Sequence, residues 1–269
     1  MQEYQKGQIL LIVVLVMVTA LTVGLSVAAR SITDTRTSQE ASSSEKAFSA
    51  AEAGIESLIA SSSAGPRNIT GSFSNNNTNY NASISNITGT QFVLNNNNPV
   101  LKDDSIDVYL ATYPNYTNPQ SGFITFYWGQ SISGCSNAAL EFIILSGSTA
   151  VPSMSKIGVD PCSPRSTHNN FRYIAPGGGA IQGQVYQDKT TIQITNGLFV
   201  RVIPLYAPAL VAVQGLCNNV GANCVPFPVQ GSLITSTGTA DNTQRKLVTY
   251  SYFPKLPTEV LQYSLFVPQ

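Results

Sequence analysis

Residues 7–29 read G-Q-I-L-L-I-V-V-L-V-M-V-T-A-L-T-V-G-L-S-V-A-A, and the reading of this stretch decides the architecture. No charged side chain occurs from Gly7 to Ala29, and Ile9 to Val18 is continuously apolar. About 20 apolar residues in a helix cross the ~30 Å hydrocarbon core of a bilayer, so the stretch is long enough to span one. Thr19, Thr22, Gly24 and Ser26 punctuate its second half, and small or hydroxylated residues of this kind favour close packing of membrane helices. A cleaved signal peptide is the rival reading. Such peptides have an apolar core of about 7–15 residues and a small-x-small cleavage site, which Val27-Ala28-Ala29 offers.

The sequence after Ala29 separates the two. From Arg30 to Ala60 there is no proline, and Gly54 is the sole glycine. The segment ending S-E-K-A-F-S-A-A-E-A-G-I-E-S-L-I-A is a strong helix pattern. Phe48, Ala51, Ile55, Leu58 and Ile59 recur at three- and four-residue spacing, which predicts one apolar face, while Glu45, Lys46, Glu52 and Glu56 lie mostly off it. S-S-S-A-G-P after Ala60 supplies the stop. The expectation is one helix from about Ile9 to Ala60, roughly 75–80 Å long, transmembrane over about 8–29 and amphipathic over 30–60. An uncleaved anchor that merely tethers a surface domain is the plainer alternative.

Beyond residue 60 the signals are those of strands. Residues 61–100 are rich in Asn and Ser, with alternation in Tyr80-Asn81-Ala82-Ser83-Ile84. N-x-[ST] triplets occur at Asn68, Asn76, Asn81, Asn86 and Asn115, as composition alone would also produce. Ile106–Leu110, Phe123–Trp128, Ala139–Leu145, Thr191–Ile194, Leu198–Ile203 and Ala209–Val213 are β-former-rich runs separated by Gly, Pro and Asn. Gly231–Thr239 and Arg245–Tyr250, joined by A-D-N-T-Q, form a hairpin pattern. No second long amphipathic helix is visible, which argues against βαβ classes. The predicted fold class is α+β: a long N-terminal helix packed on an antiparallel β-rich domain over 61–269.

Charge and chemistry point away from catalysis and from nucleic acid. Lys plus Arg and Asp plus Glu are 14 each, so the basic excess of a nucleic-acid binder is missing. His168 is the single histidine, in a polar stretch without acidic neighbours. There is no G-x-S-x-G elbow and no phosphate loop; Gly177-Gly178-Gly179 reads as a turn. Asp103, Asp104 and Asp107 form the one acidic cluster, without the full calcium-loop pattern, so a solvated turn is the simpler reading. Tyr113, Tyr116 and Phe126-Tyr127-Trp128 would serve adhesion if exposed, though strand aromatics are commonly buried. Cys135, Cys162, Cys217 and Cys224 contain no C-x-x-C pair and allow three disulfide connectivities. Pairing of nearest neighbours, Cys135–Cys162 and Cys217–Cys224, is expected in an extracytoplasmic domain, with buried free thiols as the alternative. The expectation is a chain without cofactor or metal that is not an enzyme.

The short leader with Lys6 before Gly7, followed by the apolar run, resembles that of type IV prepilins. Ala47-Phe48-Ser49-Ala50-Ala51-Glu52-Ala53-Gly54-Ile55 resembles the A-F-x-A-A-E-A-G-[IL] run of PilX-type minor pilins. The hairpin near the C-terminus is similar to one found in many pilin-like subunits. The resemblance implies a leader over 1–7, cleavage after Gly7 by a prepilin peptidase, and a methylated new N-terminus at Gln8. It implies that Ile9, Leu10, Leu11, Ile12, Val13, Val14 and Leu15 open a membrane and assembly helix. The implied partners are membrane lipid, other pilin subunits and an inner-membrane assembly platform. The chain would be a single-pass membrane protein with an extracytoplasmic domain, at the cell surface after assembly. Major pilins carry a glutamate at the fifth mature position, where this chain has Ile12. The departure favours a low-copy or tip-located minor subunit.

Overall fold

The computed structural model describes residues 5–61, 65–74, 77–219 and 222–254. The start of the expected leader, Asn76, and the end of the β-rich region over 255–269 lie outside the described residues. Helix α1 (Gln5–Ala60) runs without interruption for 56 residues, about 84 Å, and passes Arg30 unbroken. Strands come next: β1 (Arg67–Phe73), β2 (Thr78–Asn86), β3 (Gln91–Val93), β4 (Ile106–Tyr109), β5 (Gln120–Trp128), β6 (Ala139–Gly147) and β7 (Pro152–Asp160). A short helix α2 (Ser163–Asn169) precedes β8 (Arg172–Tyr173), β9 (Gly179–Ile181), β10 (Gln184–Tyr186) and β11 (Asp188–Leu205). The last described strands are β12 (Ala212–Asn219), β13 (Ala222–Cys224), β14 (Gly231–Ala240) and β15 (Thr243–Tyr252). The chain is therefore α+β, with a long apolar helix followed by an antiparallel-rich β region.

Two compact units divide it: residues through Ile84 with Ile234–Thr249, and Ser85–Leu233 with the chain from Tyr250. In the first, α1 packs on a four-stranded sheet of order β1-β2-β14-β15. Asp241, with φ of 50°, turns β14 into β15 in a two-residue loop. That left-handed residue is what a tight hairpin turn demands, and Asp tolerates it.

The helix face that meets this sheet keeps Ala51, Ile55 and Leu58 of the expected five, while Phe48 and Ile59 are corrected to exposed positions. Ala47, Ala50, Ala51, Gly54 and Leu58 are buried, whereas Phe48 is 43% and Ile59 67% exposed. Ile55 is half-buried, Ala53 likewise, and Glu52 is exposed. The physical reason is close backbone approach. A Cβ on Gly238 would collide with the carbonyl oxygen of Ala47, and one on Gly54 with Ser236 Oγ, Tyr80 and Ala82. Only small residues fit such a seam, so large side chains in the same helical turns point outward. Leu58 closes the interface with Ala82 and Ile234.

The second unit is built on a nine-stranded sheet, β13-β12-β5-β11-β6-β7-β8, with β3 beside β12 and β4 beside β11. All the registered pairs are antiparallel except β7 with β8. The two runs read as separate strands around Ile194 and Leu198 are one 18-residue strand, β11. It pairs with β5 over Asp188–Gly197 and with β6 over Gly197–Leu205. Asn196, with φ of 49°, sits where the register with β5 shifts, and the register with β6 shifts just after it, between Gly197 and Phe199, so an irregularity continues the strand instead of ending it. The core holds Phe126, Trp128, Leu140, Phe142 and Val202, and the Trp128 indole N–H donates to the Ala138 carbonyl at 2.9 Å.

Candidate functional site

The apolar half of α1 is the segment most unlike a soluble protein. From Ile9 to Val27 every large apolar side chain is between 50% and 70% exposed. A helix apolar on all sides needs an apolar surrounding, either core or lipid, and none of this segment is buried against the rest of the chain. Its length and composition suffice to cross a membrane. Its two threonine hydroxyls are satisfied within the helix. Thr19 Oγ1 donates to the carbonyls of Leu15 and Val16 at 3.0 and 2.9 Å, and Thr22 Oγ1 to that of Thr19 at 2.9 Å. In hydrocarbon an unpaired hydroxyl is costly, so this back-bonding lets Thr stand in the span. Thr33, Thr35 and Thr37 repeat the pattern further along the helix. Gly7 and Gln8 lie inside the same helix, continuous with Ile9–Leu15. No carboxylate occurs in α1 before Asp34.

Disulfides link Cys135 to Cys162 and Cys217 to Cys224, the nearest-neighbour pairing. Cys217 and Cys224 are cross-strand partners of β12 and β13. Paired cysteines suit an oxidising, extracytoplasmic compartment.

The remaining candidates are dispersed. Asp107 is bound bidentately by Arg201 at 2.7 and 2.8 Å, with both side chains buried. Asp103 is exposed beside Lys102, and Asp104 accepts from the Ser105 N–H at 2.7 Å. Among the described residues no three His, Cys, Asp or Glu side chains converge to hold a metal. His168 is exposed in the last turn of α2. Phe126 and Trp128 are core, while Tyr113 stacks on Phe253 at 4.3 Å beside Tyr109 and Tyr116. Asn68, Asn81, Asn86 and Asn115 are exposed.

Two polar assemblies escaped the sequence reading. One is the Asp107–Arg201 pair, whose signal was an arginine in an otherwise apolar run, L-F-V-R-V-I. The other surrounds the first disulfide. The Asp160 carboxylate accepts from Arg165 Nε and Nη2, the Cys162 N–H and the Asn169 amide, all at 2.8 Å. Burial pushes this carboxyl up, but those hydrogen bonds and the arginine charge outweigh it and hold it below the usual range. Asp188 is the opposite case: burial raises it and outweighs the hydrogen bond that Asn137 donates at 2.6 Å, and Asp160 adds repulsion. Scans against protein-family models, curated proteins and solved structures each returned no match to this chain.

Proposed function

We propose that this chain is a minor subunit of a type IV pilus or a related secretion filament, of the PilX type, and not an enzyme. The observation that carries the reading is α1 itself: one unbroken helix whose first half is bare and apolar and whose second half is seated on a sheet through a small-residue seam. A cleaved signal peptide has no reason to continue in register into a packed helix. A filament subunit does, because the bare half must pass from lipid to the helices of neighbouring copies without being exposed to water. The other expected partners are a prepilin peptidase and an inner-membrane assembly platform. The disulfides suit an extracytoplasmic domain and a final location at the cell surface. Ile12 removes the carboxylate with which a major pilin would neutralise a neighbour's N-terminal amine. That supports a low-copy or tip position.

N-terminal sequencing of the protein from its native host tests the reading. A mature chain beginning at methylated Gln8 is expected. A start near Arg30 would mean a secreted protein, and an intact Met1 a plain anchored binding domain. Gly7→Trp should accumulate unprocessed chain; normal filament incorporation of that variant overturns the proposal.

A further inference from the structure

A groove of about 360 Å³ opens in the second unit, lined by Phe92, Asn95–Asn97, Gln182, Gln184, Gln230, Tyr250 and Tyr252. A smaller hollow of about 190 Å³ adjoins it and shares Asn95, Asp107, Gln230 and Tyr252. Three features mark the groove as more than a surface crease. The Tyr250 and Tyr252 rings lie nearly parallel, 13° apart, with centroids at 6.3 Å, and both remain partly exposed at 37% and 43%. The lining also contains three successive left-handed residues, Asn95, Asn96 and Asn97, with φ of 54°, 52° and 61°. L residues visit that region singly, so a run of three is strained, and such strain concentrates at ligand clamps. Beneath them the buried Gln230 amide accepts from the Tyr109 N–H at 2.8 Å and donates to the Tyr109 carbonyl at 2.9 Å, which makes the floor rigid.

Charge narrows the ligand. The one ionisable acid lining the larger groove, Asp107, is neutralised by Arg201, and among the described residues no lysine or arginine lines it. A nucleic-acid strand or a uronate polymer would need cations here. What the lining does offer is amide groups, each both donor and acceptor, beside flat aromatic faces. Hydroxyl groups on a ring with apolar C–H faces match that combination. We propose that this groove binds a neutral oligosaccharide, stacked on Tyr250 and Tyr252 and hydrogen-bonded by Asn96, Asn97, Gln182 and Gln184. The site does not depend on how residues 1–60 are processed, so it stands or falls separately from the filament reading.

The test uses the full chain in phospholipid nanodiscs, prepared without glycoside detergents. Neutral oligosaccharides of the glucose, galactose and N-acetylglucosamine series are screened by saturation-transfer NMR, with oligogalacturonate and a proline-rich peptide as controls. Binding of at least one neutral series is expected, weakened about tenfold by Tyr250→Ala and by Gln184→Leu. Thermal unfolding of both variants should match the parent, since Tyr250 is half-exposed and Gln184 lies on a short edge hairpin. The proposal is overturned if no neutral oligosaccharide binds, if binding survives both substitutions undiminished, or if the peptide or the uronate is the sole ligand.

Discussion

Asp160 and Asp188 show what single carboxylates contribute. Asp160 is held ionised by Arg165, Cys162 N–H and Asn169, and its folded-state pKa lies below the ordinary value. The stability it adds is therefore complete above the ordinary aspartate pKa of about 3.9, and is lost as pH falls through the lowered folded value. Asp160→Asn should cost about 3 kcal/mol at neutral pH, because Arg165 loses its partner while remaining largely buried. The gap to the parent should close in strong acid, as read by chemical denaturation at several pH values. Asp188 has a raised pKa, so the sign reverses: its burial opposes folding as pH rises above the ordinary value. Asp188→Asn should flatten the decline in stability on the alkaline side of that value. A variant with unchanged pH dependence would contradict the assignment.

The element scale is dominated by the seam between α1 and its sheet. Gly238→Val and Gly54→Leu each insert atoms where backbone or core side chains already stand, and should destabilise by about 1–3 kcal/mol. Phe48→Ala, at an exposed position, should change stability by no more than about 0.5 kcal/mol in the isolated chain. A large loss for Phe48→Ala in thermal unfolding would restore the face expected from spacing. Among the disulfides, Cys135–Cys162 closes a separation of 27 residues and Cys217–Cys224 one of 7. Chain-entropy scaling gives about 3.5 against about 2.4 kcal/mol, so replacing the first pair by serines should cost more. The exposed Phe48 is left largely uncovered by the sheet on which the helix packs.

At the scale of the whole molecule, the bare half of α1 sets the solution behaviour. A contiguous apolar surface of this size exceeds what soluble monomers tolerate. A chain lacking residues 1–29 should stay in solution without detergent and keep both disulfides, whereas the full chain should float with liposomes. Val18→Arg, near the centre of the span, should weaken insertion by about 2.5–3.5 kcal/mol, measured as the inserted fraction in a translocation assay. Unaltered insertion would mean that the helix is covered by something other than lipid.

The long helix was legible because its signals are local and repeated: an uncharged apolar run, then residues 30–60 without proline. Most strands were legible for the same reason, since β-branched and aromatic runs alternate with turn residues. Three features were not. The buried face of α1 follows from how closely Gly238 and Gly54 let backbone approach side chain, and apolar spacing alone prefers Phe48 over Ala47. The single strand β11 depends on a register shift around Asn196, where a turn residue does not end the strand because β4 takes over from β5 along one edge while β6 pairs along the other. The Asp107–Arg201 pair and the groove above Gln230 join residues about a hundred positions apart. Sequence by itself determined where the helix runs, which class the fold belongs to and which compartment suits its cysteines. Tertiary structure alone decided which side chains meet, because packing at contact distance depends on the shape of distant partners rather than on local periodicity.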